Sequence, residues 1–324
     1  MDLFQIIDDI SKVDPEVYDR FDSRRAAFRN FLGFGRKATA AALPLGLSTL
    51  FTKAYGQANA LPQAVKDTLN LALQLEYLEK YFYQTALNSN ILNPEQRAAF
   101  EIILNDENLH IKTLLAVLTP ANAIPDPGRA GFDYTGSNNK RRAALFPTLG
   151  GLDNPNAGNF TSVDDFLKVG QQFVDTGVRA YKGGAPSLNT DATKNILQAA
   201  LNIHSVEARH SARIRSFRRG GIQNTATPKS WITPDETAST PPLPNGGFPG
   251  APASVGPYLA GNSATTFPAE DNVNQGATPG INVQTLITGV SATAGAEAFD
   301  EPLDAATVKA IAKNFAADPA ALFN

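Results

Sequence analysis

Cysteine is absent from this chain of 324 residues, and histidine occurs only three times. Without cysteine the protein has no disulfide, no thiolate nucleophile and no sulfur ligand for a metal. Charge is sparse as well, because 18% of the residues are charged, the net charge is −3, and no basic or acidic block is long. We therefore expect no nucleic-acid partner, since such binding requires concentrated positive charge.

Two of the three histidines stand three residues after a glutamate, in Glu107-x-x-His110 and Glu207-x-x-His210. Residues at positions i and i+3 share one face of a helix, so each motif directs a carboxylate and an imidazole to the same point. Oxygen and nitrogen are the only donors that this chain offers, and they suit iron, manganese or zinc. Each motif predicts one half of a metal site.

Apolar residues at helical spacing surround both motifs and indicate which way the motifs point. The two apolar stripes are Phe100, Ile103, Leu104, Ile111 and Leu114, and Ile196, Ala200, Ile203, Ile214 and Phe217. Both motifs fall on these stripes and are therefore predicted to face the core. Burying an ionised carboxylate costs on the order of several kcal/mol unless it is paired or binds a metal. A buried Glu–His pair without metal is the alternative interpretation.

Four long segments have the composition of helices, with expected bounds of 62–87, 94–119, 162–182 and 189–217. Asn93 and Pro94 are typical of an N-cap and a first helical position, and the segment from Gly183 to Pro186 predicts a break. A short connection joins the first two helices, and a long crossover, residues 120–161, precedes the third. Hairpin, crossover and second hairpin predict an all-α, up-down four-helix bundle.

The first helix offers a further carboxylate, Glu76, on the same stripe as Leu69 and Leu73. Facing residues in a hairpin of two such helices are about 30 positions apart, which is the spacing between Glu76 and Glu107. Glu79 lies on the flank of that stripe and is the fallback ligand. The predicted ligand set is Glu76, Glu107, His110, Glu207 and His210.

Residues 62–218 resemble the ferritin-like domain of the desiccation-related and stress-protein group. The resemblance rests on residues 75–79 (LEYLE) and 175–181 (DTGVRAY) and on the two Glu-x-x-His motifs. It implies that Glu107 and Glu207 bridge two metal positions and that Glu76 supplies the ligand from the first helix. The implied function is iron or peroxide handling, with Tyr83 or Tyr181 as proton or electron donors. A structural protective protein that keeps the bundle without redox catalysis is the alternative.

The third helix departs from the family's pattern, because Val174 stands where the resemblance implies a glutamate. Gln171 is the nearest polar residue on the inward stripe, and Asp175 is rotated about 100° away. The predicted ligands therefore suffice for one tightly bound ion per chain, with iron expected and manganese or zinc as alternatives.

Residues 1–60 are predicted to be a helical arm or an export signal. Arg24-Arg25, the apolar stretch 38–51 and Ala58-Asn59-Ala60 resemble a twin-arginine signal with its cleavage site. A signal predicts a periplasmic or extracellular protein, and an uncleaved arm predicts a cytoplasmic one. We expect no transmembrane span, because the apolar stretch ends at Lys53, short of the roughly 17–25 residues required.

Residues 220–324 are rich in proline and glycine and are predicted to form a long extension with little regular structure. Its spaced aromatic residues, Trp231, Phe248, Tyr258 and Phe267, are typical of an extended segment that lies on a folded surface. A short helix is expected near 283–290 and a terminal helix at 304–316. We expect self-association through the N-terminal arm and this extension.

Overall fold

The computed structural model describes residues 61–150, 158–221, 223–224, 228–239, 242–244, 253–276 and 280–324. The predicted N-terminal arm or export signal, residues 1–60, lies outside the described residues. Among the helices that are described, none combines the length and the apolar character needed to cross a membrane.

Four long helices form the main body of the described chain. They are α1 (Gln63–Asn88), α2 (Pro94–Asn122), α3 (Val163–Leu188) and α4 (Lys194–Arg218). Helix α1 packs along α2, α3 packs along α4, and α1 and α3 join the two hairpins. This arrangement confirms the predicted all-α bundle in the order hairpin, long crossover, hairpin.

The start of α2 shows how local sequence sets a helix boundary. The Asn93 side chain accepts a hydrogen bond from the Gln96 backbone N–H, and the Gln96 side chain accepts one from the Asn93 N–H. This capping box satisfies two donors that a helix N-terminus otherwise leaves free, and Pro94 occupies the first helical position. The boundary therefore lies where the sequence predicts it.

The predicted break at 183–186 is wrong, because α3 continues through Gly183, Gly184 and Pro186 to Leu188. Gly183 allows the backbone of Leu303 to pack directly against α3, because a Cβ atom on Gly183 would overlap that backbone. The proline falls in the last turn of the helix, where little helix remains to be disrupted. Helix α4 accordingly begins at Lys194, later than the expected position 189.

The C-terminal extension contains only short elements among its described residues. They are α5 (Pro234–Ser239), β1 (Leu243–Pro244), β2 (Ser254–Val255), β3 (Asn274–Gln275), β4 (Ile281–Asn282), α6 (Ala292–Ala296) and α7 (Ala305–Lys313). Antiparallel pairs join β1 to β2 and β3 to β4. The predicted terminal helix is α7, whose N-cap is Asp304. A single 3₁₀ turn, Val283–Thr285, replaces the helix expected near 283–290.

Aromatic packing joins the crossover to the bundle. Phe82 of α1 is fully buried, and its ring centroid lies 5.0 Å from that of Tyr134 and 5.2 Å from that of Phe160. Both partners belong to the crossover, while Phe166 and Phe173 of α3 each approach the same ring to 5.0 Å. Large apolar rings thus fill one end of the bundle and exclude water from it.

Two buried arginines connect the extension to the bundle. Arg179 of α3 donates hydrogen bonds to five backbone carbonyls of the extension, those of Pro257, Leu259, Pro268, Glu301 and Pro302. Arg215 of α4 binds both carboxylate oxygens of Asp175, at 2.8 and 2.7 Å, and also contacts Glu236 of α5. Buried charges of this kind require such partners, so the extension forms part of the folded core.

Candidate metal centre

The side chains predicted as ligands lie together inside the bundle. Glu76 comes from α1, Glu107 and His110 come from α2, and Glu207 and His210 come from α4. Each of the five is buried, with at most 7% of its surface exposed. The helical period explains this placement, because each residue interrupts an apolar stripe that faces the core.

His110 lies at the middle of the carboxylates. Its Nδ1 atom is 3.2 Å from Glu76 Oε2, 3.2 Å from Glu107 Oε2 and 3.1 Å from Glu207 Oε1. One donor atom from each of these four residues lies within 4.8 Å of all the others. Donors bound at about 2.1 Å on opposite sides of one ion are roughly 4 Å apart, so a small adjustment brings all four onto a single cation.

His210 faces the centre through Nδ1 and faces away from it through Nε2. Asp106 accepts from Nε2 at 3.1 Å, which places the ring proton on that side and leaves Nδ1 as the atom for a ligand bond. Nδ1 lies 3.2 Å from Glu107 Oε1 and 3.6 Å from Glu207 Oε2. Sequence reasoning missed Asp106, because nothing in its position shows which histidine of another helix lies beside it.

Several buried polar atoms at the centre make no hydrogen bond. They are Glu107 Oε1, both carboxylate oxygens of Glu207, and His210 Nδ1. Their neighbours are within ion-pair distance, but the directions do not suit a hydrogen bond. Buried polar atoms are almost always hydrogen-bonded, and bound metal would supply the partner that these atoms lack. The donor set therefore fits a divalent metal ion.

Burial and the neighbouring histidines shift the pKa values of Glu76 and Glu107 in opposite directions. Burial raises the pKa of Glu76 to about 8, and the nearby His110 offsets only part of this rise. Burial also opposes charge on Glu107, but its interactions with the His110 and His210 imidazoles prevail and lower its pKa to about 2. Glu107 is consequently the fixed anion of the metal-free centre, whereas Glu76 can carry a proton near neutral pH.

The carboxylates in turn hold protons on the imidazoles. Burial alone would lower the pKa of His210, yet its hydrogen bond to Asp106 and its contacts with the Glu107 and Glu207 carboxylates raise it to about 12. The pKa of His110 is also raised, because Glu76, Glu107 and Glu207 outweigh the effect of its burial. Without metal, protons therefore supply the positive charge at this centre, and an incoming cation must displace them.

Two buried tyrosines stand beside first-helix carboxylates. Tyr181 of α3 donates a hydrogen bond of 2.5 Å to Glu76 Oε1. Tyr83 of α1 donates one of 2.8 Å to Glu79 Oε2. Burial and the adjacent carboxylates raise the pKa of both phenols, so both remain protonated hydrogen-bond donors. Their predicted role as proton or electron donors stays a prediction.

No side chain of α3 supplies the missing carboxylate. Val174 is fully buried, and Gln171 is engaged by Glu236 and Tyr258 of the extension. Asp175, in turn, is bound by Arg215 of α4 through both of its oxygens. Gln171 and Asp175, the polar residues predicted to lie nearest to the gap at Val174, are therefore both engaged elsewhere and do not act as metal ligands.

Glu79, the predicted fallback ligand, is buried on the bundle side of α1 with 4% of its surface exposed. Its Oε1 atom lies against α3 at Gly177, where an added Cβ would stand 3.4 Å away. Burial raises the pKa of Glu79 well above its ordinary value, and Glu207, Glu107 and Glu76 add to that effect. These neighbours place its carboxylate in the electrostatic field of the centre.

Comparison with known protein families agrees with this helical arrangement. The sequence model described as a ferritin-like domain matches residues 64–219. The comparisons with curated proteins and with solved structures found no match. The matched range covers nearly all of α1 through the end of α4 and includes the buried carboxylate cluster. Residues 64–219 are therefore similar to a ferritin-like domain, in agreement with the four-helix bundle.

Proposed function

We propose that this protein binds iron in its ferritin-like domain and acts in iron or peroxide handling, with manganese and zinc as alternative metals. The observation that carries the proposal is the cluster of Glu76, Glu107, His110 and Glu207, whose donor atoms converge within 4.8 Å. Buried oxygens of Glu107 and Glu207 that lack hydrogen bonds support it. Membership in the desiccation-related and stress-protein group belongs to the same proposal.

The residues around the cluster have distinct roles in this proposal. Glu107 and Glu207 would hold the cation, and Tyr181 fixes the orientation of Glu76 through its hydrogen bond. Asp106 keeps the Nε2 proton of His210 and so turns Nδ1 inward. A bound iron ion would supply Lewis acidity and one-electron redox chemistry. The aromatic end of the bundle keeps bulk water away from these groups.

One ion would bind tightly at the cluster of Glu76, Glu107, His110 and Glu207, because that cluster joins three carboxylates and one imidazole.

A structural or assembly-forming protective protein is the second candidate function. The absence of a third-helix carboxylate at Val174 and the firm attachment of the extension through Arg179 favour it. Self-association through the arm and the extension, and export if residues 1–60 are a signal, complete the proposal.

Elemental analysis of protein purified without chelator tests the proposed function. We expect at least one equivalent of iron or manganese per chain and loss of that metal in His110→Ala. His204→Ala is the matched control, because His204 lies outside the centre and its Nδ1 contacts the Val178 carbonyl. Metal-free wild-type protein that also fails to bind added iron would overturn the proposal and favour the structural alternative.

A further inference from the structure

We propose that Glu79 replaces the missing third-helix carboxylate and, together with His210, completes a second metal position in the same bundle. The inference rests on the proposed function and deepens it, because it changes the number of ions and names the residue responsible. In this arrangement the carboxylate has moved from α3 to α1, one helical turn beyond Glu76.

The direction of the helices places Glu79 and His210 at the same end of the centre. Tyr83 of α1 lies 5.5 Å from Phe100 of α2, and Phe100 lies 6.1 Å from Phe217 of α4, measured between ring centroids. Along α1, Glu79 is therefore closer to this aromatic end than Glu76 is. Along α4, His210 is likewise closer to it than Glu207 is. Along α2, His110 is farther from that end than Glu107 is.

The centre accordingly has two levels. Glu76 and His110 belong to the level that Tyr181 touches. Glu79 and His210 each follow, by one turn of their own helix, a residue of the four-residue cluster. Glu107 and Glu207 lie between the two histidines, because each contacts both imidazoles at 3.1–3.6 Å. A ferritin-like bundle that holds two ions requires one terminal carboxylate at each level.

Helix α3 leaves room for the displaced carboxylate. Gly177 faces Glu79, and even a methyl group there would stand 3.4 Å from Oε1. Any longer side chain at position 177 would therefore compete with the carboxylate for this space. Tyr83 fixes the other oxygen of Glu79 at 2.8 Å, so the group is held in place. Val174 contributes no donor to this region of the bundle.

An unpaired atom marks the second position independently of Glu79. His210 Nδ1 is buried, points inward and makes no hydrogen bond, yet His210 is not part of the four-residue cluster. An ion at that cluster would leave this nitrogen unused. The charges agree as well, because Glu76, Glu79, Glu107 and Glu207 would supply the four negative charges that two divalent ions require, once metal displaces their protons. Without Glu79, three carboxylates would face two such ions.

Anaerobic titration of the full-length, metal-free protein with Mn(II) or Co(II) tests this inference, since neither probe needs redox turnover. We expect two ions per wild-type chain and one per chain in Glu79→Gln, with the affinity of the remaining ion little changed. Glu101→Gln is the matched control, because it removes an equal charge from an exposed position of α2. It should retain both ions.

The outcomes separate this inference from the proposed function. Two ions in both wild type and Glu79→Gln, or one ion in both, would overturn the role of Glu79 and leave metal binding intact. No bound ion in wild type would overturn the proposed function itself. Circular dichroism verifies that the variant is folded. Anomalous scattering from the cobalt-loaded wild type should show a second peak beside the Glu79 carboxylate, and its absence there would also overturn the inference.

Discussion

Single residues determine how protons and metal compete at the centre. Glu76 has a pKa of about 8 in the folded chain, whereas an unperturbed glutamate titrates near 4.5. His210 has a pKa of about 12, compared with 6.5 for an unperturbed histidine. In both cases the metal-free folded state binds protons more strongly than the unfolded state does. Proton binding therefore stabilises the metal-free protein, and its loss destabilises it.

The first prediction is that the metal-free protein becomes less stable as the pH rises from 5 to 8. The unfolded chain loses the Glu76 proton above about 4.5 and the histidine protons above about 6.5, while the folded chain retains them. The unfolding temperature, measured with chelator present, should fall over this range. Glu107, whose pKa is lowered to about 2, has the opposite effect, but only below about pH 4.5.

Metal reverses this pH dependence, because a bound cation replaces the protons and binds more tightly as they leave. Saturating Mn(II) should therefore raise the unfolding temperature more at pH 8 than at pH 6. A variant with glutamine at both His110 and His210 serves as the control and should show a flatter profile without metal. A metal-free wild-type protein that gains stability toward pH 8 would contradict this prediction.

The second prediction concerns Asp106, which accepts a hydrogen bond from His210 Nε2. Asp106→Ala should weaken the binding of the ion that His210 holds by about 10- to 100-fold, the usual effect of losing such a partner. Competition with a chromophoric chelator measures the change. Glu101→Ala, which removes an exposed carboxylate from the same helix, should leave the affinity unaltered. Equal effects of both substitutions would show that Asp106 acts only through its charge.

At the scale of residues, the sequence predicted which side chains point into the bundle, because the helical period determines that direction. Glu76 and the two Glu-x-x-His motifs interrupt apolar stripes, so their inward direction follows from their spacing alone. The partners of Gln171 do not follow from spacing, because Glu236 and Tyr258 come 65 and 87 residues later in the chain. Gln171 was therefore expected near the gap at Val174, although the fold directs it to the extension.

At the scale of elements, α3 shows a local signal overridden by tertiary packing. Two glycines and a proline near its end predict a break, since glycine and proline are poor helix formers. The helix nevertheless continues to Leu188, and Leu303 donates its backbone N–H to the Arg179 carbonyl beside these glycines. Glycine is needed here for contact with another part of the backbone. A single sequence shows the glycine but not the segment that approaches it.

The third prediction follows from this contact. Glycine to alanine within a helix ordinarily stabilises it by about 1 kcal/mol. Gly183→Ala should instead destabilise the protein, because the new Cβ would overlap the Leu303 backbone, which cannot move without shifting the extension. Urea unfolding monitored by circular dichroism measures the change.

Gly184→Ala is the neighbouring control for that substitution. Its Cβ would meet only the methyl group of Thr68, and a side-chain rotation can relieve that contact. We therefore expect a clearly smaller loss of stability than for Gly183→Ala. If Gly183→Ala were as stable as wild type, the close packing of the extension on α3 would be refuted.

At the scale of the whole molecule, buried ion pairs fasten the extension to the bundle. Arg215 is fully buried and binds Asp175 of α3 and Glu236 of α5, each at 2.7 Å. Helix α7 also packs on α1 and α3. The predicted domain boundary near residue 219 marks a change in composition, but contacts between the two parts are extensive. The sequence predicted a wrapping segment without revealing where it attaches, because carbonyl groups carry no sequence signal.

The fourth prediction tests this attachment. Arg215→Met leaves the carboxylates of Asp175 and Glu236 buried without their cation, and the expected loss of stability is about 3–5 kcal/mol. Chemical denaturation provides the measurement. Arg213→Met is the matched control on the same helix, since Arg213 pairs with Glu95 at the surface, where such pairs contribute about 0–1 kcal/mol. Similar losses in the two variants would contradict the attachment.

The setting of Arg179 has a consequence for the order of events during protein synthesis. Its carbonyl partners follow it by 78 to 123 residues, so the ribosome must add 123 residues after Arg179 before all of these partners exist. At about 5–20 residues per second this interval is roughly 6–25 s. The four helices emerge first, and the nascent bundle must wait with an uncompensated charge at a surface destined for burial. Attachment of the extension, rather than completion of the four helices, is therefore the step that satisfies Arg179.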